Sequence, residues 1–97
     1  LAGFSDEKPM AQVIIYTTNW CPYCRGAKAF LRAKAVDFEE IDVTYDPDKR
    51  IEMEQRSRRH TVPQIFIDGQ SVGGYDDIRM LEATGELDRL LGIASEV

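Results

Sequence analysis

The apolar and polar positions fall into short runs whose spacing changes along the chain. Val13-Ile14-Ile15-Tyr16-Thr17, within Gln12–Thr17, is a continuous β-branched and aromatic run, as expected of a strand buried on both faces. Pro22 follows in a place suited to a first helical turn, and good helix formers extend to about Ala35, with Ala27, Phe30 and Leu31 as the stripe to bury. Phe38–Val43 reads as a second strand. Asp46-Pro47 then supplies a cap and a first-turn proline for a helix to about Arg58. Gln64–Ile67, Asp68-Gly69 and Gln70–Val72 predict a tight hairpin. A last helical stretch from about Tyr75 carries Ile78, Leu81, Leu87, Leu90 and Leu91, with a break at Thr84-Gly85.

The predicted order is β-α-β-α-β-β-α. The first crossover makes two parallel strands and the hairpin adds two antiparallel ones, so the class is α/β, a small mixed sheet with helices on its faces. Residues 1–10 show no period and read as a loose arm, or in part a cloning remnant with the natural start near Met10, leaving 11–97 as one domain. Ligands of such sheets sit beyond the carboxyl ends of the strands. Cys21 lies at such an end.

Composition narrows the partners. The 97 residues carry 12 Lys+Arg against 17 Asp+Glu, a formal charge of −5, which argues against nucleic acid or an anionic membrane as main partner. The longest apolar run, Val13-Ile14-Ile15-Tyr16, is far too short to span a membrane, and residues 1–12 lack the apolar core of a signal peptide. A cytoplasmic monomer is expected.

The two cysteines fall within four positions, Cys21-Pro22-Tyr23-Cys24. A bridge closing so short a loop restrains the unfolded chain very little, so stapling is a poor reason for the pair. A redox dithiol, half of a zinc site and inert core thiols remain. Structural zinc wants four Cys or His ligands, and His60 is the one histidine; no metal is expected. In redox chemistry the nucleophile is a thiolate, which the positive end of a helix and its first-turn amides favour. That points to Cys21, at the helix tip, with Cys24 more buried and less acidic.

Cys21-Pro22-Tyr23-Cys24, then Thr61-Val62-Pro63-Gln64-Ile65-Phe66-Ile67, then Gly73-Gly74-Tyr75-Asp76-Asp77 resembles a dithiol glutaredoxin, of the small bacterial kind, over about Gln12 to Leu91. The resemblance implies a minimal four-stranded thioredoxin fold and glutathione as co-substrate in reducing glutathione mixed disulfides and protein disulfides. It implies a cis Val62–Pro63 bond facing the cysteines, with the Val62 backbone pairing with the cysteinyl peptide of glutathione, flanked by Thr61 and Tyr23. Gly74, Tyr75 and Asp76 would offer first-turn amides to the γ-glutamyl carboxylate, and Asp77 would accept from its ammonium. From residue types alone, Gly73-Gly74 and Asp76-Asp77 equally read as a turn and a helix start.

Lys49, Arg50, Arg56, Arg58, Arg59 and His60 form a basic stretch in this acidic chain. Much of it suits the cationic end of the second helix, and by resemblance Arg50 would meet the glycine carboxylate. His60 reads as a surface residue, and Trp20 as either partner-facing or core. One position departs from the family pattern: Thr18 stands where a lysine usually precedes the first cysteine by three. Weaker electrostatic support of thiolate and glutathione follows. Two rival readings are an electron donor recharged by thioredoxin reductase and an iron–sulfur carrier with a cluster held across a dimer; the glutathione-type Gly73–Asp77 segment and the stiffening by Pro22 speak against them.

Overall fold

β1 (Val13–Thr17) occupies the interior of the sheet because both its edges are taken and four of its five residues are buried. The structure, a computed structural model, describes residues 11–93, and the expected arm at residues 1–10 lies outside them. The strand order is β2-β1-β3-β4, where β2 spans Glu39–Asp42, β3 Gln64–Ile67 and β4 Gln70–Gly73. β1 pairs with β2 in parallel, Ile14 opposite Glu39, and with β3 antiparallel, Ile14 opposite Phe66. β3 and β4 are antiparallel, as the hairpin signal predicts. Asp68 and Gly69 both have positive φ, 50° and 82°, the geometry a two-residue primed turn needs. Gln12 ties that turn back to β1, its N–H donating to Asp68 Oδ1 and its carbonyl accepting from Asp68 N–H.

The strand alternation sorts two cores. Val13, Ile15, Ile65 and Ile67 point to one face, under α1 (Pro22–Ala33), α3 (Tyr75–Thr84) and α4 (Glu86–Leu91), where Ala27, Leu31, Ile78, Leu87 and Leu91 meet them. Tyr16 and Phe66 point to the other, against Met53 of α2 (Pro47–Ser57) and Val43. The Tyr16 hydroxyl, carried into that second core, donates to Glu52 at 2.5 Å and accepts from Arg56 at 3.1 Å, so the buried hydroxyl is satisfied.

Element ends differ from the sequence reading by one or two residues. α1 stops at Ala33 because Ala35 turns left-handed (φ 60°) and the Val36 N–H closes back on Leu31. α2 stops at Ser57 because Arg58 does the same, at φ 62°. Thr84-Gly85 breaks the last stretch as expected, with Gly85 at φ 83°.

Candidate active site

The catalytic end of the sheet is built where β1 hands over to α1. Cys21 is the N-cap of that helix, in extended conformation, and its sulfur accepts the backbone N–H of Cys24 at 3.1 Å. A cap acceptor normally is an oxygen; here a sulfur does the same work. Pro22 at the first helical position costs no hydrogen bond. Cys24, one turn on, is 1% exposed. Burial and a hydrogen bond to the Cys21 sulfur push its thiol up to about 12, against a backbone hydrogen bond from Thr18 and the charge of Lys28, which pull it down. Both cysteines are free thiols.

Two further segments converge on the pair. The Val62–Pro63 peptide is cis, and the Val62 carbonyl lies 3.9 Å from the Cys21 sulfur. Beyond β4, Gly73 and Gly74 bring the start of α3 against that loop. A Cβ on Gly73 (φ 100°) would collide with the Asp77 carboxylate, and one on Gly74 would meet the Pro63 carbonyl at 3.1 Å. Asp77 reaches back to the Gly74 N–H at 2.8 Å and pairs with Arg59 at 2.8 Å; the two contacts hold its carboxyl below the usual carboxylate range. The Cys21 sulfur, the Val62 carbonyl and the start of α3 with its Asp77 carboxylate are thus brought together through the Val62–Pro63 segment.

The family model described as Glutaredoxin matches residues 13–72. The chain belongs to the glutaredoxin family. It is 55% identical over 82 residues to Glutaredoxin 3 of Escherichia coli K12, covering 84% of this chain and 99% of that one. It is 50% identical over 82 residues to a Pseudomonas aeruginosa glutaredoxin, covering 84% and 98%. The solution structure of a Brucella melitensis glutaredoxin superposes with a TM-score of 0.79 at 48% identity, over 95% of this chain and 100% of that one. This glutaredoxin has the thioredoxin fold expected of it and is a glutathione-dependent thiol–disulfide oxidoreductase.

The residues singled out in the sequence of this glutaredoxin are not all free to act. Val62 sits beside Cys21 through the 3.9 Å contact of its carbonyl, between exposed Thr61 and buried Pro63. Tyr23 is 62% exposed on the first turn of α1. The Tyr75 ring turns away, packing against Gly26 and Phe30 of α1, so this residue offers the cleft its backbone. Asp76 is exposed at the same helix start. Arg50 is committed to Glu54 (3.2 Å) and to the His60 carbonyl (2.7 Å), which fastens the segment entering Thr61. His60 is a surface residue, 83% exposed. Trp20 is exposed, not core, at 91%, and its φ of 58° is a conformation that bulky residues rarely adopt.

Three contributors escaped the sequence reading. Gln64 is buried and donates to the Thr61 carbonyl (3.1 Å) and hydroxyl (3.3 Å), pinning the segment that presents Val62. Lys28 lies four residues after Cys24 on α1, and that i, i+4 spacing was a usable signal. Its ammonium pairs with Glu40 at 2.8 Å, and Glu40 also accepts from the buried Thr17 hydroxyl at 2.7 Å. Arg59 had no local signal, since Asp77 lies 18 residues away. Among the described residues, no three His, Cys, Asp or Glu side chains converge as metal ligands. No described helix is long and apolar enough to cross a membrane.

Proposed function

We propose that Cys21 is the nucleophile and Cys24 the resolving thiol, with glutathione lying across Val62 and the start of α3. The Cys21 thiolate attacks the glutathione sulfur of a mixed disulfide. The Cys21–glutathione bond forms, the old disulfide breaks and the substrate sulfur leaves as a thiolate that takes a proton from solvent. A second glutathione thiolate attacks the same glutathione sulfur, leaving as oxidised glutathione and restoring Cys21. With a protein disulfide, Cys24 loses its proton and attacks Cys21 instead. That releases the second substrate sulfur as a thiol and leaves a Cys21–Cys24 disulfide, which two glutathione molecules reduce.

The observation that carries this division of labour is the 3.1 Å hydrogen bond from Cys24 N–H to the Cys21 sulfur, made while the Cys24 thiol itself is buried and kept protonated. The Val62 N–H and C=O would pair with the cysteinyl peptide of glutathione, as an added strand does. Thr61 and Tyr23 would flank it, and Arg50, braced through Nε by Glu54 and through Nη2 by the His60 carbonyl, would meet the glycine carboxylate with Nη1. Backbone amides at Tyr75 and Asp76 would take the γ-glutamyl carboxylate, while Gly74, its own N–H given to Asp77, would let the ligand approach closely, and Asp77 would take the ammonium. Glutaredoxin potentials of about −200 to −230 mV lie near the glutathione poise of the cytosol, so a cytoplasmic monomer acting on glutathionylated and disulfide-bonded proteins fits this chemistry.

A glutathione-coupled assay on a small glutathione mixed disulfide tests the reading. Cys21→Ser abolishes turnover, whereas Cys24→Ser retains it and loses reduction of protein disulfides. Loss of both activities in Cys24→Ser overturns the assignment.

A further inference from the structure

Arg59 stands out among the basic residues after α2 because it is held at both ends. The Ser57 hydroxyl accepts from the Arg59 N–H at 3.1 Å and donates to the Arg59 carbonyl at 3.2 Å. At the other end Nη1 donates to Asp77 Oδ2 at 2.8 Å, the same oxygen that accepts the Gly74 N–H at 2.8 Å. The guanidinium therefore stands beside the first backbone amides of α3. Its side chain is 50% exposed and that of Asp77 43%, so both charges reach solvent at the start of α3. A guanidinium has five donors in a planar fork, and the bond to Asp77 uses one nitrogen.

The amino-acid end of a γ-glutamyl group carries an ammonium and a carboxylate on one carbon. Arg59 and Asp77 carry the opposite charges in matching proximity. We propose that Arg59 is a specificity-determining residue: with Asp77 it forms a charge pair complementary to the zwitterionic end of the γ-glutamyl group, Asp77 taking the ammonium and Arg59 the α-carboxylate. This rests on the reading that glutathione lies across Val62 and α3. It adds a side-chain cation to a carboxylate site otherwise made of backbone amides, and so makes the free α-carboxylate a criterion of selection. A half-exposed charge-assisted contact of this kind corresponds to about fivefold to tenfold in rate.

The test is single-turnover transfer to Cys21 in a Cys24→Ser background, followed by mass spectrometry. Three peptide mixed disulfides serve as probes: with glutathione, with glutathione amidated at the γ-glutamyl α-carboxylate, and with cysteinylglycine. Arg59→Gln slows transfer from the glutathione disulfide about fivefold to tenfold and leaves the other two within twofold; Arg59→Lys recovers part of the loss. Amidation slows the parent by a similar factor and adds nothing to Arg59→Gln. Arg58→Gln, which removes the same charge one residue away, leaves all three rates unchanged. An equal loss on all three probes, a faster transfer in Arg59→Gln, or additive losses would each overturn the role of Arg59. If the parent transfers from glutathione and cysteinylglycine disulfides equally well, glutathione recognition itself fails. If the parent discriminates and Arg59→Gln discriminates as well, only the role of Arg59 fails.

Discussion

The Cys21 sulfur caps the helix that begins beside it, accepting the Cys24 N–H at 3.1 Å, so the outer sulfur of the dithiol and the cap of α1 are one atom. The Cys24 thiol of the same turn is buried and pushed up to about 12. Two cysteines of one helical turn are thereby set to opposite tasks by their surroundings. At pH 7, brief treatment with iodoacetamide labels Cys21 alone, and peptide mass spectrometry finds Cys24 unmodified until the protein is unfolded. Early labelling of Cys24 would contradict this separation.

The same burial makes stability depend on alkaline pH. An unfolded cysteine ionises near pH 8.5, whereas folded Cys24 stays protonated up to about 12. Above pH 8.5 the unfolded state therefore binds fewer protons, and stability falls with rising pH through that interval. Urea midpoints of the reduced protein at pH 8, 9.5 and 11 should decline more steeply than those of Cys24→Ser. Parallel declines would place the effect elsewhere.

Asp77 works in the opposite direction. Its carboxyl is held low by the Gly74 N–H first and then by Arg59. The stability it contributes is present above the ordinary aspartate value of about 3.9 and is lost as pH falls below that through its lower folded value. Asp77→Asn flattens this acid limb. It also costs about 1 kcal/mol at pH 7 through the weakened helix cap, read from urea unfolding at pH 7 and pH 3.

Thr18 is the place to strengthen electrostatics. It lies three residues before Cys21 and contributes a backbone hydrogen bond to Cys24, with no side-chain charge. Thr18→Lys adds a cation at a half-buried position three residues before Cys21, worth about 0.2–1 kcal/mol once its head reaches solvent. The KM for a glutathionylated peptide should drop about twofold, and iodoacetamide alkylation of Cys21 at pH 6 should quicken. Both gains should shrink in high salt; unchanged values at low salt would show that the position is silent.

Gly26 sets how closely α1 approaches α3. A Cβ there would meet the Tyr75 ring at 2.8 Å, and that ring is hemmed in by Phe30, Tyr23 and Arg79. Gly26→Ala gains about 1 kcal/mol of helix propensity and loses about 1–3 kcal/mol to overpacking, so destabilisation is expected. In a Tyr75→Ala background the same change should stabilise. The sign reversal between the two backgrounds, read from urea midpoints, is the check.

Most element boundaries and the dithiol at the start of α1 were legible in the chain because their causes are local. Asp46-Pro47 caps a helix, Asp68-Gly69 folds a two-residue turn and Pro22 opens a helix beside Cys21, each within a few residues of its effect. The helix ends at Ala33 and Ser57 were missed by a residue or two because Ala35 and Arg58 turn left-handed without the glycine that announces such a turn.

Spacing and residue chemistry alone determined that this is a small mixed α/β domain with a redox dithiol at a helix tip, and motif resemblance supplied glutathione. Tertiary structure decided what the charged and polar side chains do. Arg59 finds Asp77 across 18 residues, Arg50 is spent on Glu54 and the His60 carbonyl, and Tyr75 turns its ring into the α1 interface. Caps and turns act over one turn of chain, but the partner of a long charged side chain is whatever the packed sheet brings within about 3 Å of it.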